Sequence, residues 1–211
     1  MKDNYFIVIY TYGGKSYCEN MFFRRVKEIS KGNPVHILDN SFDLDNSNDL
    51  HYYKKLISRY SFVNFTFYHL DIAKGKYQFL RTVVESANFL RDIFLKTDYP
   101  NFLTIESDVI PPIDLLDKFD DTLSKLPEDA GILGALYYKN FHDFSKHGLQ
   151  KVGHALSGCT IYKRKLIEKY PFRWSIEDTG AFPDAWICTD CANDFSIWNN
   201  NDIICEHLNY M

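Results

Sequence analysis

The stretch Asn101-Phe-Leu-Thr-Ile-Glu-Ser-Asp-Val-Ile-Pro-Pro112 decides how the rest of the chain is interpreted. Its first part is apolar and partly β-branched, which predicts a short buried strand over 102–105. The two closing prolines cannot donate to a strand ladder and therefore end the strand. Glu106 and Asp108 stand at positions i and i+2 of an extended segment, so their side chains project to the same side. The sequence thus predicts two adjacent carboxylates at the carboxyl end of a strand, where open α/β sheets bind ligands.

Two carboxylates held this close repel each other unless a cation or a shared proton lies between them. A divalent cation with oxygen ligands is the natural occupant of such a pair. Glu106 and Asp108 are therefore candidate metal ligands. The alternative interpretation is a solvated loop or a helix cap, because acidic residues serve in both.

Strand-like and helix-like stretches alternate along the whole chain of 211 residues. Nearly continuous apolar runs at 5–11, 35–38 and 130–138 are typical of strands that are buried on both faces of a parallel sheet. Between the strands, apolar residues at helical spacing predict helices, of which 77–96 is the longest. This alternation predicts a single α/β domain with a mostly parallel central sheet flanked by helices.

The C-terminal part of the chain is interpreted less regularly. Residues 184–198 open as a loop and then take a helical spacing. A polar turn at 199–202 and a last strand at 203–208 are expected to follow. Residues 139–151 carry no apolar period and are interpreted as a loop.

The acidic triplet in this setting resembles the metal-binding motif of GT-A glycosyltransferases. The shared features are a hydrophobic strand, an acidic-x-Asp triplet at 106–108 and a bend after it. In that family the triplet holds Mn²⁺ or Mg²⁺ against the diphosphate of a nucleotide-sugar. By element order the resemblance covers residues 1–211 and implies one GT-A-like domain. It implies a nucleotide-binding half at about 1–112 and an acceptor or catalytic half at about 113–211.

The resemblance also implies which residues contact the donor. An acidic residue after the second strand of GT-A enzymes receives the nucleoside, and Asp39 holds that position here, although an Asx turn accounts for it equally well. Lys76 or Arg81 corresponds to a basic residue that contacts the nucleotide, with solvated surface charge as the alternative. The resemblance implies that His154 contacts the donor sugar or phosphate, and a core histidine is an equally good interpretation. The full set of implied donor-binding residues is Thr11, Asp39, Lys76, Arg81, Ser107, His154 and Gly158.

The C-terminal acidic residues resemble the catalytic end of inverting GT-A domains, in which an acidic cluster opens a helix and a histidine follows on the last strand. Inversion needs a carboxylate that takes the acceptor's proton and a cation that stabilises the departing diphosphate. The resemblance implies Asp190 as the base, Asp194 as the second choice, and His207 as a further metal or phosphate ligand. These aspartates are spaced more widely than the acidic pair of the family, and capping the helix is the alternative role for either.

A competing pattern is Cys188-x-x-Cys191 followed by Cys205-x-His207, whose spacing is compatible with a structural zinc site. In that case His207 would stabilise the fold instead of serving a reaction. The chain has 5 cysteines, and an odd number fits reduced thiols better than a disulfide framework. The sequence is compatible both with zinc ligands and with plain buried thiols.

Bulk properties narrow the classes of function. A net charge of −4 gives no electrostatic footprint for nonspecific DNA binding. The sequence contains no Walker loop and no Gly-x-Ser-x-Gly elbow. It has no run of about 20 apolar residues and no N-terminal signal pattern, so a cytoplasmic protein without a membrane span is expected.

The resemblance implies a metal-dependent glycosyltransferase that uses Mn²⁺ or Mg²⁺. The expected donor is a nucleotide-sugar, with a UDP-sugar preferred, and the expected chemistry is inverting with an aspartate base. The expected acceptor is a hydroxyl of a glycan, a protein or a small molecule, a modified nucleobase included. The alternatives are a nucleotidyltransferase, which normally has a longer glycine-rich loop than residues 12–15, and a non-catalytic binding domain stapled by zinc.

Overall fold

In the computed structural model, the described part of the chain forms a curled sheet of nine strands. The structure describes residues 4–41, 48–70, 77–137, 147–177 and 182–208. Helices pack on both faces of the sheet, so the predicted α/β sheet flanked by helices is confirmed. Within these residues, no helix has both the length and the apolar character that crossing a bilayer requires.

The element order alternates strands and helices in the first half and becomes richer in strands in the second. The strands are β1 (Tyr5–Thr11), β2 (Val35–Asp39), β3 (Phe65–His69), β4 (Asn101–Glu106), β5 (Val109–Ile110), β6 (Ala130–Tyr137), β7 (Leu149–Val152), β8 (Cys159–Lys163) and β9 (Ser196–His207). The α-helices are α1 (Glu19–Ser30), α2 (Asn48–Tyr60), α3 (Gln78–Phe94), α4 (Leu115–Leu123), α5 (Arg164–Lys169) and α6 (Pro183–Cys191). A 3-10 turn at Gly13–Lys15 follows β1.

The sheet order is β3-β2-β1-β4-β8-β6-β9-β5, with β7 paired to β9. Strands β1 to β4 pair in parallel, and β6 and β9 also pair in parallel. Strand β8 lies antiparallel between β4 and β6, and both β5 and β7 run antiparallel to β9. The parallel strands β1, β2 and β4 consequently end at one edge of the sheet, where Thr11, Asp39 and Glu106 are their last residues.

The last strand is longer than the sequence predicts. The loop expected from 184 is instead part of α6, which ends at Cys191, and the helical spacing expected up to 198 and the turn expected at 199–202 give way to β9 from Ser196. Strand β9 pairs with β6, β7 and β5 along its length, so pairing between strands overrides the local polar pattern. An irregularity between Ala135 and Leu136 of β6 accommodates the polar segment. The segment interpreted as a loop at 139–151 contains part of β7, and its residues 139–146 lie outside the described part of the chain.

Alternate residues of the central strands feed two hydrophobic cores, one on each face of the sheet. On β1, Ile7 and Ile9 belong to the core that α1, α2 and α4 cover. Phe6 and Val8 belong to the core that α3, α5 and α6 cover. Because both faces are buried, the strand reads in the sequence as a continuous apolar run.

The residues of the possible zinc site do not come together. Cys188 and Cys191 belong to α6 and lie in the core on its face of the sheet, whereas Cys205 lies in the core on the opposite face. Nowhere in the described ranges are three His, Cys, Asp or Glu side chains grouped closely enough to hold a metal ion. The interpretation as a zinc site is therefore wrong, because the sheet itself separates the ligands. All of these cysteines are free and buried.

This separation predicts that the fold does not depend on zinc. The purified protein should contain far less than about one equivalent of zinc, and a chelator should leave its thermal midpoint unchanged. Metal analysis and thermal unfolding with and without EDTA measure both quantities. A stoichiometric zinc content together with a clear loss of thermal stability in EDTA would contradict the arrangement of Cys188, Cys191 and Cys205 described above.

Half-buried His36 gives the fold a specific pH dependence. Its ring stacks on Phe6 with 3.9 Å between ring centroids, and its Nδ1 lies 3.0 Å from the hydroxyl of Tyr68. Burial lowers the pKa of His36 from 6.5 to about 4. Between pH 6.5 and about pH 4, His36 is therefore protonated in the unfolded chain and neutral in the folded chain.

The free energy of unfolding should fall by about 3 kcal/mol from this residue alone as the pH is lowered from neutral to about 4. The measurement compares urea unfolding of the wild type and His36→Gln across this pH range. Because the variant lacks the titrating group, its stability should lose less than that of the wild type at acid pH. Parallel pH profiles for the two proteins would show that His36 is not held neutral.

Candidate active site

A cavity of about 790 Å³ lies at the carboxyl ends of β1 and β4. Five of the residues that the sequence singles out line it together: Thr11, Glu106, Ser107, Asp108 and His207. They come from distant parts of the chain because the parallel pairing of β1 and β4 aligns the strand ends, with Tyr10 opposite Glu106. The carboxyl edge of the sheet therefore brings these residues together in one cavity, although they are far apart in the sequence.

Glu106 closes β4 and is held by the turn that precedes β8. Its backbone N–H donates to the carbonyl of Gly158 at 2.9 Å, and its Oε1 accepts a hydrogen bond from the hydroxyl of Ser157 at 2.8 Å. Gly158 does not line the cavity, but its carbonyl holds the backbone of Glu106, which does. Ser157 orients one carboxylate oxygen of Glu106 at the cavity surface.

Asp108 is the most buried acid of the cavity, with 4% of its surface exposed. Its backbone carbonyl accepts a hydrogen bond from the N–H of Leu208 at 2.8 Å. Its Oδ2 is in contact with the ammonium group of Lys15 and lies 3.6 Å from Nε2 of His207. Its Oδ1 is buried and has no hydrogen-bond partner among the residues that the structure describes. A buried carboxylate oxygen without a partner is costly, and this one is available to a ligand from outside the chain.

Strand pairing places His207 beside this carboxylate. His207 is the last residue of β9 and lies opposite Val109 of β5 in the antiparallel register. Burial opposes the charge of Lys15, but the hydrogen bond and the charge of Asp108 outweigh it and raise the pKa of Lys15. The ammonium is therefore firmly charged in this arrangement.

The donor set partly fits a divalent cation. Carboxylate oxygens and one imidazole suit Mn²⁺ or Mg²⁺, and the unpartnered Oδ1 of Asp108 is a candidate ligand atom. As the side chains stand in the described ranges, however, no three such groups are close enough together to hold a metal ion. The countercharge at Asp108 is supplied by Lys15. Metal binding by Glu106, Asp108 and His207 stays a prediction.

Asp39 is buried and does not line the cavity. Its Oδ1 accepts hydrogen bonds from the N–H and the hydroxyl of Ser41, and its Oδ2 lies 2.9 Å from Nδ1 of His69. Burial raises the pKa of Asp39, although these hydrogen bonds oppose the shift. The bond to the N–H of Ser41 forms the Asx turn that the sequence offered as an alternative. Its neighbour Asn40 lines the cavity instead.

Helix α3 forms another wall of the cavity. Phe79 and Thr82 line it, and the hydroxyl of Thr82 is buried with no hydrogen-bond partner in the described part of the chain. Arg81 does not line the cavity; its guanidinium pairs with Glu85 one turn along the helix at 3.3 Å. Lys76 lies outside the described residues.

Asp184 is a cavity residue that the sequence interpretation missed. It follows Pro183 in the first turn of α6 and is 9% exposed. Its Oδ2 accepts a hydrogen bond from the N–H of Ser157 at 3.2 Å and lies 3.6 Å from Nε2 of His154. The available signal was the Pro-Asp pair, since proline at the first helical position followed by an acidic residue is typical of a helix start.

The two aspartates that the resemblance implies as bases lie elsewhere. The carboxylate of Asp190 forms a two-pronged ion pair with Arg173, with both N–O distances at 2.6 Å. Asp194 contacts the ammonium of Lys169 and the hydroxyl of Tyr170. Neither Asp190 nor Asp194 lines the cavity, and both interact with surface residues of the neighbouring segment 169–173.

The sequence matches no protein-family model and no curated protein. Similarity appears at the level of solved structures. The mannosyltransferase PcManGT from Pyrobaculum calidifontis, in complex with GDP-Man and Mn²⁺, superposes with a TM-score of 0.69 at 13% identity. TarS from S. aureus, in complex with UDP-GlcNAc, superposes with a TM-score of 0.66 at 11% identity.

These superpositions cover nearly all of the present chain, 98% for PcManGT and 99% for TarS. The chain spans only 57% and 59% of the two longer proteins, respectively. At such low identity the likeness concerns the fold, and it agrees with the strand order and with the cavity at the strand ends. The chain has the GT-A-like fold of nucleotide-sugar glycosyltransferases.

Proposed function

We propose that this chain transfers a sugar from a nucleotide-sugar to an acceptor hydroxyl, with a UDP-sugar as the expected donor. The observation that carries the proposal is one cavity in a GT-A-like fold that is lined by Glu106, Asp108, Asp184 and His207. Two proteins of similar fold were solved with GDP-Man and Mn²⁺ and with UDP-GlcNAc. The expected acceptor stays a hydroxyl of a glycan, a protein or a small molecule.

The donor occupies the side of the cavity that the first half of the chain builds, at about residues 1–112. Thr11, Asn40 and Ser107 line that side. Mn²⁺ or Mg²⁺, held by Glu106, Asp108 and His207, would stabilise the negative charge that develops on the departing diphosphate. The second half of the chain, at about 113–211, supplies the acceptor side through α6 and the turn before β8.

We assign the role of general base to Asp184 in preference to Asp190. Asp184 lines the cavity, and the N–H of Ser157 fixes one of its oxygens there. Asp190 is neutralised by Arg173 and lies off the cavity. In the proposed step the acceptor oxygen bonds to the anomeric carbon and the bond from that carbon to the diphosphate oxygen breaks. The acceptor's proton passes to the carboxylate of Asp184, and the anomeric configuration inverts.

The short turn after β1 supports sugar transfer over nucleotidyl transfer. That turn is the single 3-10 turn Gly13–Lys15, whereas a nucleotidyltransferase normally carries a longer glycine-rich loop there. A product analysis separates the two reactions. Sugar transfer releases a nucleoside diphosphate, and nucleotidyl transfer releases pyrophosphate.

The first prediction concerns nucleotide binding. In calorimetric titrations with UDP, GDP and CDP, one nucleotide should bind in the presence of Mn²⁺ and bind much more weakly without it. Asp108→Asn should weaken the Mn²⁺-dependent binding by about tenfold or more, because it removes a charge that faces the metal. The matched control is Asp117→Asn, an exposed aspartate on α4 that pairs with Lys31. Failure of all three nucleotides to bind would contradict the proposed function.

The second prediction separates the two candidate bases. With the nucleotide-sugar whose nucleotide binds, release of the nucleoside diphosphate is measured in the presence of a panel of simple glycosides. Asp184→Asn should lower the turnover rate by about 10²–10⁴-fold, because the acceptor loses its general base, and should leave nucleotide binding intact. Asp190→Asn should retain nearly normal turnover. The reverse result would return the role of base to Asp190.

A further inference from the structure

We propose that Lys15 is a built-in competitor of the divalent cation for Asp108. A metal held by Asp108 would require the ammonium to leave the carboxylate, and the freed ammonium would then bond the diphosphate of the donor. The inference rests on the proposed function, since it concerns how the same cavity takes up metal and nucleotide. It gives Lys15 a role that differs from those of the acidic residues around it.

The backbone around Lys15 is fixed to the site. The N–H of Lys15 donates to the carbonyl of Tyr12 at 2.8 Å within the 3-10 turn, and the N–H of Gly13 donates to the hydroxyl of Ser41 at 2.8 Å. The thiol of Cys18 lies within hydrogen-bond distance of two carbonyls, those of Lys15 at 3.0 Å and Ser107 at 3.1 Å. Cys18 thus connects the turn that carries the lysine to the segment that carries Asp108.

The contact between Lys15 and Asp108 is partly shielded from water. The Asp108 side chain is 6% exposed and the Lys15 side chain is 25% exposed. Opposite charges in contact attract more strongly in such a setting than at the open surface. A divalent cation on either carboxylate oxygen of Asp108, the unpartnered Oδ1 included, would lie close to the ammonium on Oδ2, because the two oxygens belong to one carboxylate. Repulsion between the two cations makes simultaneous occupation unfavourable, so one displaces the other.

Lys15 is also well placed to receive phosphate. It is the only lysine or arginine on the cavity wall among the described residues. Its four-carbon stem is flexible, and its ammonium carries three donors and no acceptor. If a metal supplied the countercharge at Asp108, the ammonium of Lys15 would be free to bond the phosphate oxygens of a nucleotide in the same cavity.

Metal and nucleotide should therefore favour each other's binding. Without nucleotide, a metal that displaces Lys15 from Asp108 leaves the ammonium with no new partner. The affinity of the protein for the metal alone is therefore low. With the nucleotide present, the ammonium gains phosphate oxygens in exchange, and the metal affinity rises. By linkage, the metal raises the affinity for the nucleotide by the same factor.

The test measures binding of Mn²⁺ alone, without nucleotide, from the electron paramagnetic resonance signal of free Mn²⁺. Lys15→Met removes the competing charge and should bind Mn²⁺ about tenfold more tightly than the wild type. Lys15→Arg keeps the charge and should resemble the wild type. The matched control Lys118→Met, from an exposed pair with Asp114, should also leave the affinity unchanged. Adding Asp108→Asn to Lys15→Met should abolish the gain, which locates it at Asp108.

A second measurement is the coupling between ligands, taken as the ratio of UDP affinities with and without Mn²⁺. The ratio should be clearly smaller in Lys15→Met than in the wild type, since no ammonium has to change partners. An unchanged or weaker affinity for Mn²⁺ in a folded Lys15→Met, as judged by circular dichroism, would overturn the inference. If the wild type nevertheless binds a nucleotide with Mn²⁺, the proposed function stands. If the wild type binds no nucleotide, the proposed function fails with it.

Discussion

The parallel pairing of β1 with β4 is the constraint on which the rest of the site depends. Tyr10 lies opposite Glu106 in this register, so the two strands end side by side. The 3-10 turn after β1 and the acidic turn after β4 therefore face the same cavity. Strands β8 and β9 then add their own residues to an edge whose position is already set. A shift of one residue in this register would turn Glu106 to the other face of the sheet.

Electrostatics gives this edge its character. Glu106, Asp108 and Asp184 bring three acids into one partly buried space, which is unfavourable without countercharge or hydrogen bonds. In the structure each acid is stabilised by a different group. The hydroxyl of Ser157 donates to Glu106, and the N–H of Ser157 donates to Asp184. The ammonium of Lys15 pairs with Asp108. One short turn before β8 thus orients two of the three acids.

Local pattern was sufficient for the central strands, because continuous apolar runs are a property of neighbouring residues. Glu106 and Asp108 both line the cavity, but residues 107–108 form a turn there and not the extended segment that the i, i+2 argument assumed. Local pattern failed where distant pairing decides the outcome. The polar segment 199–202 is a strand only because β6 and β7 flank it. Asp184 belongs to the cavity because the N–H of Ser157, 27 positions away in the sequence, holds its carboxylate. Asp190 is also an aspartate of α6, but unlike Asp184 it pairs with Arg173.

The pairing of β5 with the end of β9 has a further consequence for how the protein matures. Asp108 and His207 are far apart in the sequence, and the two-residue β5 has its ladder partner in β9. During synthesis, Asp108 cannot contact His207 until β9 has emerged from the ribosome. Contacts of such long sequence separation form late, because the chain entropy of a long loop must be lost before they contribute. Ligand competence should therefore arise near the end of folding, when most of the sheet is already in place.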